Sequence, residues 1–180
     1  MTSAWVMLRI SITGISLSRV DTCQIITNFI PGSCQPHEPV LFYYHTMNIT
    51  YAKDKTISAQ QFIDVLKRST LDQRRPVDDA ARIQRMLDHG NVLITAWDGD
   101  KLVGISRALT DFSFCCYLSD LAVDESYQHK GIGKELIRLT HETASYQTAL
   151  ILLAAPAAQN YYPKIGMDKF EHCFMIKRTE

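Results

Sequence analysis

The sequence predicts a mixed α/β domain, a central sheet with helices on both faces, and three observations carry that prediction. The apolar periodicity runs strand, two helices, three strands, helix, strand, helix, strands over residues 48–178. Asp98-Gly99-Asp100 separates two strand-like runs, which is a strong hairpin signal. The strand-like run Tyr117 to Val123 passes through a glycine-bearing loop into an amphipathic stretch, Gly133 to Ala144.

Each element has its own signal. Asn48-Ile49-Thr50-Tyr51-Ala52 reads as a short first strand. Ser58 is placed as the N-cap of a helix carrying Phe62, Ile63, Val65 and Leu66. A charged loop, Leu71 to Pro76, follows. Asp78 or Asp79 opens a second helix with Ala80, Ile83, Met86 and Leu87 on its apolar face, and Gly90 is expected to end it. Strands are expected over Asn91 to Trp97, Lys101 to Leu109 and Cys115 to Val123. The helix over 131–144 turns Ile132, Leu136, Leu139 and Thr140 to one side. Ala149 to Ala154 is a nearly continuous apolar run, as in a strand covered on both faces. A short helix over Ala157 to Lys164 and closing strands at Met167 to Phe170 and Phe174 to Lys177 complete the expectation.

Strand, glycine loop and helix start together form a recipe for holding a phosphate. Glycine lets the backbone approach closely, and the first helical N–H groups point at the anion. Two common phosphate loops fail here. A Walker A loop needs a glycine five residues before the Gly-Lys pair and a Ser or Thr after it; Gln128 and Glu135 stand there. A dinucleotide fingerprint needs a third glycine at position 136, which is leucine. The segment Gln128-His129-Lys130-Gly131-Ile132-Gly133 resembles instead the acetyl-CoA pyrophosphate loop of the GCN5-related N-acetyltransferase (GNAT) family. That motif reads Arg or Gln, two residues, Gly, any residue, then Gly or Ala. The lead-in Leu121-Ala122-Val123-Asp124-Glu125-Ser126-Tyr127 is similar to the family's strand. About thirty residues on, Tyr161-Tyr162-Pro163-Lys164-Ile165-Gly166-Met167 resembles its second motif, with Met167 in the usual Phe slot. The resemblance covers residues 48–178. It implies the GNAT acyl-CoA N-acyltransferase fold, a mixed sheet splayed between its fourth and fifth strands, here Cys115–Val123 and Ala149–Ala154.

The resemblance also implies an activity, N-acetyl transfer from acetyl-CoA to an amine acceptor, and a set of site residues. Backbone N–H groups of His129, Lys130, Gly131, Ile132, Gly133 and Lys134 would bind the pyrophosphate, with the helix dipole adding attraction. Gln128 would fix the loop by side-chain hydrogen bonds, and the Lys130 and Lys134 side chains would add charge. The backbone of Leu121, Ala122 and Val123 would pair with the pantetheine arm, Leu121 N–H meeting the thioester oxygen. Asn160 is a further candidate CoA contact. Tyr162, four residues before Gly166, takes the position of the family's catalytic tyrosine, and Tyr161 is its rival; a phenol near its usual pKa of ~10 stays protonated at neutral pH and can donate to a thiolate. Two readings stand for Asp120: a general base acting through water, or a structural carboxylate that anchors a loop. The alternative for the whole domain is a catalytically inactive CoA-binding regulatory module.

Composition narrows the partners. The chain has 180 residues and a formal net charge of zero, so nothing marks a nucleic-acid interface. No apolar run reaches membrane-spanning length, and no membrane partner is expected. The five cysteines include no C-x-x-C pair and the six histidines no i, i+4 pair, so no metal is expected. Free thiols in an apolar strand suit a reducing cytoplasm. Family members are often dimers, and a homodimer is the corresponding expectation. Residues 1–46 stand apart: Arg9, Arg19, Asp21 and Glu38 are their only charged side chains, against 34 in the remaining 134 residues. They are expected to be an extension, with Met47 opening the N-acetyltransferase domain, 47–180.

Overall fold

The hairpin at Asp98 forms as its turn chemistry requires. In the computed structural model, which describes residues 48–53 and 55–179, β2 (Val92–Asp98) and β3 (Lys101–Thr110) are joined through Gly99 and Asp100. Gly99 has φ +56, a value that suits glycine at the first turn position. Around this hairpin, β1 (Ile49–Ala52), β4 (Cys115–Val123) and β5 (Ala149–Ile151) complete a five-stranded sheet in sequence order. All neighbours are antiparallel except β4 and β5, which are parallel. The expectation of residues 1–46 as an extension lies outside the described residues.

Helices cover both faces. Helix α1 (Ala59–Arg68) opens on a full capping box between Ser58 and Gln61, and α2 (Ala80–Asp88) on the Asp79 carboxylate, which accepts from Arg82 N–H. Their apolar faces enclose one core, with Phe62, Leu66 and Ile83 against Trp97, Ile105 and Ala122. Helix α3 (Ile132–Ala144) covers the other, packing Ile132, Leu136 and Leu139 on Ile94, Val103 and Leu118. Among the described residues no helix is long and apolar enough to cross a membrane.

A bulge in β4 decides which side chains meet which core. Arg107 pairs with Asp120 and Ala108 with Leu118, so Ser119 is the extra residue. Before it, Cys116 and Leu118 face the α3 core; after it, Leu121 and Val123 do so, and Ala122 joins the α1–α2 core. One added residue thus turns Asp120 toward α1 and α2.

Several expectations about the C-terminal third are corrected. The strand expected over 149–154 ends at Ile151. The expected helix over 157–164 is two 3-10 turns, Pro156–Ala158 and Tyr162–Ile165. Pro163 is the reason, since it lacks an N–H and clashes with the preceding turn of an α-helix. The closing strands expected at 167–170 and 174–177 are absent: these residues are irregular, and Phe174 and Ile176 are 93% and 99% exposed. Apolar residues at strand spacing supply a face to bury but no partner, and β5 offers only three residues of pairing. Helix α2 does end at Gly90, directly after its C-cap His89, and a Cβ on Gly90 would lie 3.0 Å from the Arg107 stem.

Candidate active site

The site is built around the edge of β4 that β5 abandons. The pairing of β4 with β5 ends at Tyr117↔Ile151, while β4 continues to Val123. A slot therefore opens along Leu118–Val123. Asp124 N–H bonds to Val103 O on β3 at 2.8 Å. Strand alternation then directs the backbone groups of Val123 and Leu121 to the opposite edge, into the slot. The Val123 carbonyl is indeed met from outside β3, by Gln128 Nε2 at 3.1 Å.

That hydrogen bond begins the glycine loop. Gln128 ties the loop to the strand end. His129 has φ +61 and Gly131 φ +82, and Gly131 is the N-cap of α3 with no side-chain cap. The first intrahelical donor is Glu135, whose N–H reaches Gly131 O at 3.1 Å. The N–H groups of Ile132, Gly133 and Lys134 are left for an outside acceptor. A Cβ on Gly131 would meet no atom within 4 Å, so the loop faces open space there. The two lysines of the loop have different surroundings. Lys130 Nζ turns back to Ser126 O at 2.7 Å and lies over the Tyr127 ring, while Lys134 is exposed.

The loop is held from beneath. Asp124 is buried and accepts from Ser126 N–H and Oγ through Oδ1. Its Oδ2 takes Arg68 Nε at 2.8 Å and Lys101 Nζ at 3.1 Å. Burial alone would raise this carboxyl; the donors Ser126, Lys101 and Arg68 outweigh it and hold the group below the ordinary carboxylate range. Tyr127 Oη donates to Asp98 Oδ2 at 2.9 Å and joins the loop to the hairpin.

The two tyrosines separate in space. Tyr161 lies over the loop, where a Cβ on Gly133 would come within 3.0 Å of its Oη. Tyr162 packs edge-on against it, with ring centroids 5.3 Å apart, and its phenol is within electrostatic reach of Arg74 on the connection between α1 and α2. Burial pushes the Tyr162 hydroxyl above its ordinary pKa, Tyr161 adds to the rise, and Arg74 works against it. The phenol is neutral at physiological pH. Asn160 is exposed in the turn just before the pair.

Asp120 is fully buried between two guanidinium groups that the sequence reading did not connect to it. Arg107 Nε reaches Oδ2 at 2.6 Å, and Arg75 Nε pairs with Oδ1. The same arginines hold the bulge: Arg75 Nη2 donates to Ser119 O at 2.6 Å and Arg107 Nη2 to Ser119 Oγ at 2.9 Å. Arg107 Nη1 also reaches Met86 O on α2 at 2.9 Å. One signal was legible: Arg107 sits inside a continuously buried strand run, Leu102–Ala108, and a charge there demands a buried counter-charge.

This architecture defines an acyltransferase fold, and comparison with known proteins agrees. Residues 54–174 match the family described as the acetyltransferase (GNAT) domain. The chain belongs to that family and is an acyltransferase. A GNAT-family acetyltransferase of Streptococcus pneumoniae has a similar structure, with TM-score 0.54 and 22% identity, covering 74% of this chain and 98% of that one. An acetyltransferase of Trypanosoma brucei aligns with TM-score 0.54 and 19% identity over 73% of this chain and all of the other. The aminoglycoside N-acetyltransferase AAC(6')-Iy, solved in complex with CoA, gives TM-score 0.59 and 14% identity over 77% and 99%. At these identities the likeness is one of fold. Among curated proteins none matches the chain.

Proposed function

We propose that this protein transfers an acetyl group from acetyl-CoA directly to a primary amine. The observation that carries the reading is the early departure of β5 from β4, which leaves the Leu121–Val123 edge open beside an uncapped helix start. Bound acetyl-CoA supplies the thioester, an acetyl group already activated toward an amine. The backbone of His129 to Lys134 grips its pyrophosphate, and Leu121 N–H orients and polarises the thioester carbonyl. Tyr162 holds a proton at Oη for the departing sulfur. The acceptor nitrogen bonds to the carbonyl carbon as the C–S bond breaks, and its surplus proton passes to water.

Of the two roles open for Asp120, the geometry supports the anchor. Both carboxylate oxygens already accept from arginines, and the group is out of contact with solvent. It fixes the bulge that aims Leu121. We also assign the protein to the cytoplasm, on the free thiols of Cys115, Cys116 and Cys173; mass spectrometry after thiol labelling of intact cells should find all three reduced.

The test is thiol release from acetyl-CoA with and without an amine panel, beside calorimetric binding of acetyl-CoA. Tyr162→Phe is expected to lower kcat about 100-fold and leave acetyl-CoA affinity within twofold. Full turnover in that variant removes Tyr162 from the chemistry. Binding without amine-dependent release in the parent enzyme would identify a CoA-binding regulatory module.

A further inference from the structure

Four arginines meet beside the connection between α1 and α2, and only one of them serves the core. Arg74 and Arg75 leave the 3-10 turn Leu71–Arg74, Arg82 stands on the first turn of α2, and Arg178 reaches in from the C-terminal segment. Together they line a concavity of about 250 Å³. Arg75 is committed to Asp120. Among the described residues no carboxylate lies within ion-pair distance of Arg74, Arg82 or Arg178. The carboxylate nearest in sequence, Asp79, receives the Arg82 backbone N–H as the helix cap. Guanidinium groups are planar, charged donors, so three of them lining one hollow offer an anion several oxygen-directed hydrogen bonds.

One hydrogen bond connects this hollow to the strand of the proposed site, and the charge of Arg74 also bears on the Tyr162 phenol. Arg75 Nη2 holds Ser119 O, two residues before Leu121. The hollow also lies with α1 and α2, whereas the phosphate loop opens α3 on the other face of the sheet. An anion here is therefore not the pyrophosphate of the donor. The remaining ligand of the proposed reaction is the acceptor.

We propose that the arginine hollow seats an oxyanion of the acceptor, so that this enzyme favours amines that also carry a carboxylate or phosphate. Arginine suits the task because its planar fork meets two oxygens at once. The inference rests on the acetyltransferase reading above and adds the acceptor class to it.

The experiment compares matched acceptors: L-lysine with cadaverine, L-phenylalanine with phenethylamine, and 2-aminoethyl phosphate with ethylamine. Rates are referred to the neutral-amine concentration, because an adjacent anionic group alters amine basicity. At least tenfold higher kcat/KM is expected for the anionic member of a pair, and the pair that shows it separates carboxylate from phosphate. Arg74→Ala and Arg82→Ala should each bring that ratio toward one. A parent ratio at or below one, or a ratio that neither substitution moves, overturns the proposal. A second measurement needs no acceptor. With saturating CoA filling the donor loop, sodium sulfate should raise the thermal midpoint above sodium chloride at equal ionic strength. Sulfate stabilises proteins generally, so the readout is the part of the increment lost in the Arg74→Ala/Arg82→Ala double variant. Equal increments in parent and variant overturn the proposal. Failure of CoA itself to raise the midpoint counts against the donor reading, while the sulfate comparison still decides the hollow.

Discussion

Asp120 is a buried carboxylate with both oxygens engaged by arginines. Its carboxylate neutralises two guanidinium groups whose side chains are 6% and 15% exposed, and those arginines hold both oxygens of Ser119. Removing the carboxylate strands two buried cations, which typically costs about 3–5 kcal/mol. Asp120→Ala should therefore lower the stability measured in urea by that order. Asp120→Asn keeps the shape and separates the two roles. An anchor predicts a pH–rate profile with its limbs in the parent positions at reduced height; a base predicts loss of the acidic limb. Sequence made the residue visible but left its role open, because its partners come from positions 45 and 13 residues away. The caps Ser58 and Asp79 and the tie from Gln128 were legible for the opposite reason, since each acts within five residues. Sequence set Tyr162 ahead of Tyr161 by its place four residues before Gly166, and the two face different neighbours, Arg74 and Gly133.

At the scale of elements, the loop from Asp124 to Gly131 is a preformed cradle. Gly131 has φ +82, and among the described residues none comes within 4 Å of a Cβ placed there. Gly131→Val meets no steric obstacle among the described residues but must adopt a left-handed backbone, costing about 1–2 kcal/mol, and it places a side chain in the proposed donor site. A loss of acetyl-CoA affinity of tenfold or more by calorimetry is expected, with the fold retained by circular dichroism. The turn from β3 to β4 makes a second prediction. Asp111 accepts backbone N–H groups of Phe114, Ser113 and Cys115, and these bonds hold its pKa at about 2. A lowered carboxyl contributes stability above its unfolded pKa of ~3.9 that is lost as pH falls through the folded value. The Asp111 carboxyl carbon should titrate by NMR with a midpoint near 2, and the Phe114 amide should shift with it. A midpoint near 4 would contradict the turn geometry. The strand-to-helix unit was readable because its signals are local. The end of β5 and the fate of Met167 to Lys177 were not, because pairing depends on a partner that apolar spacing does not name.

The whole molecule raises the question of how much chain the catalytic fold needs. Both apolar cores draw their buried members from Ile57 to Ala144, one on each face of the sheet. The family match spans 54–174, and Met47–Glu180 forms a compact unit. The described buried polar groups also find their partners within that span, with Thr143 Oγ1 as the exception. The printed contacts of the candidate site run from Arg68 beneath the loop to Tyr162 beside it, all within that unit. We therefore expect a protein lacking residues 1–46 to remain soluble and to unfold in a single cooperative transition, as small domains commonly do. Its thermal midpoint should fall within a few degrees of the full chain, and its acetyl-CoA affinity within twofold. An insoluble product, or a midpoint lowered by ten degrees or more, would show that residues 1–46 are part of the folded unit and that the compositional break at 46 is no structural boundary.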